Sequence, residues 1–249
     1  EYAREISTRG PLAYPGWSAR TAALRESAAR LLGVTQELGG SSSIAIVPNT
    51  TFGLSLVAQG LDWRPGDVVV TTESEFPANL TPWLDLARLG VEVRRIPTRD
   101  GAFTAEEVFA ACDARTRLVS LSLVAYHTGF VAPAAEVGAF CRTNGIVFGL
   151  DAIQAVGAIP VDVAALGPDY LSADGHKWML GPEGCGLFFT TPSLRTRLRP
   201  PSGWLNLKRT NPAQYDVGDR PTYVEDATKF EIGAPPTPGV YALHASIGL

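Results

Sequence analysis

Residues 146–178 read IVFGLDAIQAVGAIPVDVAALGPDYLSADGHKW. IVFGLDAI (146–153) and DYLSAD (169–174) are short apolar runs bounded by glycine, proline or polar residues, the pattern of buried strands in a parallel sheet. The first run reaches an aspartate, Asp151, and the second ends on another, Asp174. A lysine, Lys177, follows the second after Gly175 and His176. Sheets of this kind bind ligands at the carboxyl ends of their strands. Asp151 and Lys177 both fall at such ends.

The alternation extends in both directions. Residues 18–33 carry apolar positions at helical spacing and stop at Gly33. IAIV (44–47) is a strand, and NTTFGLSLVAQGL after it is a helix capped by Asn49 or Thr50. DVVVTT (67–72), VEVRRIP (91–97), TRLVSLSLV (116–124) and GLFFTT (186–191) are further strands. Residues 77–89, TAEEVFAAC with Thr104 as cap, and APAAEVGAFCRTNG closed by Gly145 read as helices. Strand–helix repeats of this length predict an α/β fold, a largely parallel sheet with helices on both faces. Residues 1–19, with Gly10, Pro11, Pro15 and Gly16, read as an irregular segment before a main domain over 20–235. Residues 200–240 hold seven prolines and lose the pattern. Tyr241–Leu249 has the look of a helix cut partway, so 236–249 reads as the start of a connection to a further, C-terminal domain.

Composition narrows the partners. The 249 residues are 45% hydrophobic and 18% charged, with net charge −4. That is a globular composition with no basic footprint for nucleic acid. No apolar run suggests a membrane span or a signal peptide. Cys112, Cys141 and Cys185 are widely spaced and form no CxxC pair. This argues against a disulfide framework or metal centre and fits a reducing, cytoplasmic setting.

Three features at strand ends bear on chemistry. Asn49-Thr50-Thr51 offers free backbone N–H groups and two hydroxyls at a helix start, an arrangement suited to phosphate. Asp151 is poorly solvated and needs a cationic partner such as a protonated ring nitrogen, with Gln154 near the same mouth. Lys177, if partly withdrawn from water, is a nucleophile or Schiff-base former. Alone, each has an ordinary structural reading: a helix cap, a second cap, a snorkelling lysine. Together they are what pyridoxal phosphate requires. A nucleotide-binding α/β protein would show GxGxxG or GxxxxGK[ST] after the first strand, and neither is present.

Four blocks, VPNTTFGLSLVAQGL, TTESEFPANLTPW, GLDAIQAVGAIPVDV and SADGHKWMLGPEGCGLFF, resemble the class V aminotransferase group of fold-type I pyridoxal phosphate enzymes. That group includes cysteine desulfurases, selenocysteine lyases, isopenicillin N epimerase-like proteins and kynureninases. The resemblance implies a three-layer large domain with a mostly parallel mixed sheet, the C-terminal small domain lying outside this sequence. It implies Lys177 as the lysine joined to the cofactor, Asp151 as the partner of its ring nitrogen and Gln154 as the partner of its ring hydroxyl. Thr50, Thr51 and His176 would contact the phosphate. Asp174 falls where relatives have a serine or asparagine that does the same, although a carboxylate there is electrostatically unfavourable. Phe76 stands where desulfurases stack a histidine on the ring. His127 falls near a position where desulfurases have an asparagine, as a polar group, an acid/base or a structural residue. FEIGAPP implies a homodimer with its active site at the interface, Ala234 replacing a threonine that reaches the neighbour's phosphate.

The implied activity is that of an enzyme acting on an amino acid or amine through an external aldimine. Its branch is desulfuration or C–S lysis, epimerisation or transamination. Phe76 with Trp83 and the GHKW form lean towards the epimerase-like branch. The alternative is a protein of this fold that binds the cofactor for regulation and catalyses little.

Overall fold

The computed structural model describes residues 1–208 and 219–248. Seven strands form one sheet: β1 (Ile44–Val47), β2 (Val68–Thr72), β3 (Glu92–Ile96), β4 (Thr116–Ser122), β5 (Val147–Asp151), β6 (Tyr170–Asp174) and β7 (Gly186–Thr190). Their spatial order is β1-β7-β6-β5-β4-β2-β3. The pairs from β3 across to β6 are parallel, and β7 runs antiparallel to both of its neighbours. The helices are α1 (Tyr2–Arg9), α2 (Tyr14–Leu31), α3 (Thr50–Gly60), α4 (Thr81–Leu84), α5 (Ala105–Ala111), α6 (Ala134–Asn144), α7 (Val163–Leu166), α8 (Pro192–Arg197) and α9 (Thr237–Ser246). This is the mixed, mostly parallel sheet expected from the sequence, and the fold is that of fold-type I enzymes.

The sheet separates two apolar cores. One packs Leu24, Ile44, Val70, Leu121, Phe148, Leu171 and Leu187. The other packs Ala45, Leu54, Val69, Trp83, Leu118, Tyr170 and Phe188. Every residue of β5, β6 and β7 is buried, which explains their near-continuous apolar runs. Among the described residues no helix is long and apolar enough to cross a membrane.

Two expectations need correction. Residues 1–19 are helical over most of their length: α1, a 3-10 turn at Gly10–Ala13, and the start of α2. Pro11 and Pro15 sit at the first positions of their helical turns, where a missing N–H costs nothing, so they begin helices instead of breaking them. Conversely, 77–89 is no continuous helix. It breaks into a 3-10 turn (Pro77–Asn79), the single turn α4 and a second 3-10 turn (Asp85–Leu89). The predicted C-terminal helix exists but starts earlier, at Thr237.

Two glycines hold the site's elements together. At Gly53 a Cβ would strike Ser172 Oγ and come within 2.9 Å of the Phe188 ring, so only glycine lets α3 lie this close to β6. At Gly149, two residues before Asp151, a Cβ would fall inside the buried Tyr170 ring. Gly149→Ala is therefore expected to destabilise the protein by about 3 kcal/mol through overpacking. Urea denaturation checks this, and a midpoint equal to that of the wild type would contradict it.

Candidate active site

The carboxyl ends of β4, β5 and β6 and the start of α3 open on one cavity of about 360 Å³. Asn49, Thr50, Thr51, Phe76, Asp151, Gln154, Asp174, His176 and Lys177 all line it. Eight of the nine residues predicted for the site are thus brought together. His127 is not. It is exposed on the far side of Tyr126 and lies beside Gly101, and Tyr126 takes the place at the wall.

At the α3 end, Asn49 caps the helix by accepting the Phe52 N–H at 2.9 Å. Thr50 is buried, and its Oγ1 accepts the Asp174 N–H at 2.9 Å. Ser172 Oγ donates to the Thr50 carbonyl at 3.1 Å, so the helix start is bonded to the end of β6. Thr51 is exposed to the cavity and is the freer hydroxyl.

Asp174 is engaged within its own turn. It is buried, with Oδ1 accepting the Gly175 N–H at 2.7 Å. Its Oδ2 lies 2.9 Å from His176 Nδ1, close enough for electrostatic attraction though without the alignment of a hydrogen bond. The carboxylate is thus engaged by its own neighbours while still lining the cavity.

Asp151 is 2% exposed and accepts the Ile153 N–H at 3.1 Å. Burial pushes its pKa up to about 7, the nearby Glu75 pushes it the same way, and the Ile153 bond opposes both. Gln154 Oε1 accepts the Trp178 indole N–H at 3.1 Å, tying the segment after β5 to the lysine loop. Phe76 and Tyr126 meet edge to face at 5.2 Å across the mouth.

Lys177 is exposed in the single chain, not withdrawn from water as the sequence suggested. It stands on the turn after β6 with its side chain at the cavity wall. The chain has two other lysines. Lys229 is buried and donates to the Arg195 carbonyl at 2.8 Å, and Lys208 pairs with Glu225 at 3.2 Å. Neither lines the cavity.

Sequence reading missed a buried carboxylate here. Glu75 accepts from the Ser122 N–H (2.9 Å) and hydroxyl (2.5 Å), from the Asn79 amide (2.9 Å) and from Thr72 Oγ1 (3.3 Å). The available signal was its place just past the carboxyl end of β2, the same logic that picked out Asp151. Trp83 belongs to this network too. It is fully buried, donates to Asn79 Oδ1 at 3.2 Å and does not line the cavity.

A family model described as aminotransferase class-V matches residues 17–249. The chain belongs to the class V aminotransferase family. This is a pyridoxal phosphate-dependent family, and the cavity offers a donor set that fits the cofactor: helix-start N–H groups, a buried carboxylate and a free amine. A probable cysteine desulfurase of Methanothermobacter thermautotrophicus is 32% identical over 250 residues, covering 99% of this chain and 60% of the relative. A cysteine desulfurase of Serratia proteamaculans is 33% identical, covering 90% of the chain and 54% of that relative. The chain thus spans little more than half the length of these curated relatives. Among solved structures, the cystine C-S lyase C-DES in complex with its reaction product cysteine persulfide superposes with a TM-score of 0.87 at 28% identity. That match covers 98% of this chain and 64% of the other. A mutant of the same lyase, with glycine covalently linked to its pyridoxal phosphate, matches equally well.

The carboxyl at Asp151 makes the ligand-free protein pH-sensitive in a direction opposite to an ordinary aspartate. Its folded pKa lies above its unfolded value, so the folded state holds the proton longer. The contribution is stabilising at low pH and is lost as pH rises from about 4 towards about 7. Glu75, Asp169 and Glu231 are shifted up by burial and act in the same sense. Asp151→Asn is expected to raise the stability of the cofactor-free protein at pH 8, by up to about 4 kcal/mol, and to flatten its decline across that window. Urea midpoints across the pH range check this, and an unchanged slope would contradict it.

Proposed function

We propose that this chain is the cofactor-binding part of a pyridoxal phosphate-dependent enzyme that acts on an amino acid at a carbon–sulfur bond. One observation carries the reading: Asp151 and Lys177, on adjacent strand ends, face a single cavity that the start of α3 also enters.

The residues fit the cofactor in these roles. The Asn49–Thr51 turn and His176 hold the phosphate, the helix start supplying N–H groups and partial positive charge. Asp151 would hold the ring nitrogen, Gln154 the ring hydroxyl, Phe76 would pack against the ring, and Lys177 would hold the aldehyde carbon through its ε-amine. When bound, the cofactor supplies an electron sink for a carbanion at the substrate α-carbon. Asp151 supports that sink by keeping a positive charge on the ring. Lys177, with its amine at the cavity wall, would be placed to take the α-proton. Phe76 cannot carry a proton, which leaves Lys177 as the basic amine at the cavity.

The carbon–sulfur branch is favoured over the epimerase-like one by the relatives, which are named cysteine desulfurases and a cystine C-S lyase. In the described part of the chain the three thiols lie away from the cavity. Cys141 and Cys185 are buried, with burial pushing the Cys185 thiol up to about 12. A second copy of the chain is part of the proposal. Lys177, Phe76, Tyr126, Trp178 and Leu180 are exposed around the mouth, an apolar rim that a partner subunit would cover.

The test is turnover by the full-length protein of L-cysteine, L-cystine, selenocysteine, kynurenine and simple amino acids, scored for sulfide, alanine and keto acid. The reading predicts alanine or pyruvate from a sulfur amino acid. It predicts a loss of at least about a hundredfold in Lys177→Ala. Racemisation or transamination without carbon–sulfur cleavage would overturn the branch. No turnover of any amine by cofactor-loaded protein would favour a regulatory role.

A further inference from the structure

The connection after β2 places Glu75 beneath the floor of the cavity, 8% exposed, where it accepts four hydrogen bonds. Burial pushes its pKa up, and the network around it opposes that by favouring the ionised form. The Trp83 indole N–H is a donor only, so the Asn79 carbonyl oxygen must face it. Ser120 Oγ also donates to that oxygen, at 2.6 Å, and is itself held by the Tyr170 hydroxyl at 3.1 Å. The Asn79 NH2 group is thereby turned to Glu75 Oε2, while Glu75 Oε1 receives the Ser122 backbone N–H. Both are obligate donors, so each Glu75 oxygen must accept. A protonated Glu75 would have to turn the Ser122 or Thr72 hydroxyl from donor to acceptor, so four donors converging on its oxygens favour the ionised form.

Ser122, which donates to Glu75 twice, is the residue directly opposite Asp151 in the β4–β5 register. The two buried carboxyls are therefore neighbours across one strand spacing. They are unequally supported: Asp151 accepts the Ile153 N–H alone among its recorded bonds. Other titratable groups near Asp151 are Tyr170 on β6, shifted up by burial and so neutral, and His176, Lys177 and Asp174 along the same cavity wall. From α3 the cavity receives only Asn49, Thr50 and Thr51.

We propose that Glu75 is a positioning residue of this site, the better hydrogen-bonded and more readily ionised carboxyl of a buried pair, which makes Asp151 the proton-holding member. The pair binds one proton between them near neutral pH, because two adjacent buried negative charges are unfavourable and the hydrogen bonds favour ionisation of Glu75. The proton for a ring nitrogen is then already at Asp151 before a cofactor arrives. The pair itself is a property of the ligand-free protein, and only that use of it rests on the function proposed above.

The experiment is a carboxyl titration of the cofactor-free, full-length protein by infrared difference spectroscopy or carbon-13 NMR, with Asp151→Asn supplying the assignment. The wild type is expected to show a protonated carboxyl at about pH 6 that disappears in Asp151→Asn. Glu75→Gln is expected to move the Asp151 midpoint down by about one pH unit, since the neighbouring charge is gone. An unchanged midpoint in folded Glu75→Gln would overturn the proposal. So would a wild-type titration that finds Asp151 ionised and Glu75 protonated at that pH, a measurement that needs no variant at Glu75 to fold. Because no cofactor is present, failure here is distinguishable from failure of the proposed enzyme activity.

Discussion

Asp151 is a carboxylate that the sheet removes from water, holds by a backbone N–H from Ile153 and places near a second buried carboxylate, Glu75. A lone carboxylate in that position is costly, and it becomes favourable when a cation or a proton occupies the cavity beside it. The surrounding structure serves this arrangement. The parallel run of β4, β5 and β6 brings Ser122, Asp151 and Asp174 to one edge. Gly53 lets α3 approach β6, and the Thr50–Asp174 and Ser172–Thr50 bonds lock the helix start to the same edge. The turn after β6 then carries Lys177 to the wall of the same cavity.

Much of this was legible in the sequence because strands buried on both faces leave an unmistakable apolar run, and strand ends in such sheets are where polar residues become informative. The seven strands fall where those runs predict them. Asn49 caps α3 and Thr104 caps α5 with Glu107, as their side chains suggested. What failed had local causes. Prolines in 1–19 open helical turns where composition suggested a loop, while Pro77 and Pro82 divide a segment whose apolar spacing suggested one helix. Spacing alone could not tell which of Tyr126 and His127 turns inward.

Long-range pairing explains the other gaps. Glu75 looked like a loop residue because its partners, Ser122 and Asn79, become significant only once β2 and β4 are adjacent. Asp174 looked like a misplaced phosphate contact until its oxygens were seen to face Gly175 and His176. Lys177 looked withdrawn from water among Trp178 and Met179, yet in one chain it is open to solvent. A second subunit covering that lysine therefore belongs to the proposed function and not to the fold.

The family is pyridoxal phosphate-dependent, and the geometry favours one amine as the carrier under the proposed function. Lys177 faces the cavity, whereas Lys229 is bonded inside the protein and Lys208 is paired at the surface. Borohydride reduction of protein loaded with pyridoxal phosphate, followed by peptide mapping, reads this directly. The account predicts the reduced cofactor on the peptide containing position 177. Labelling of either other lysine, or of none in saturated protein, would contradict it.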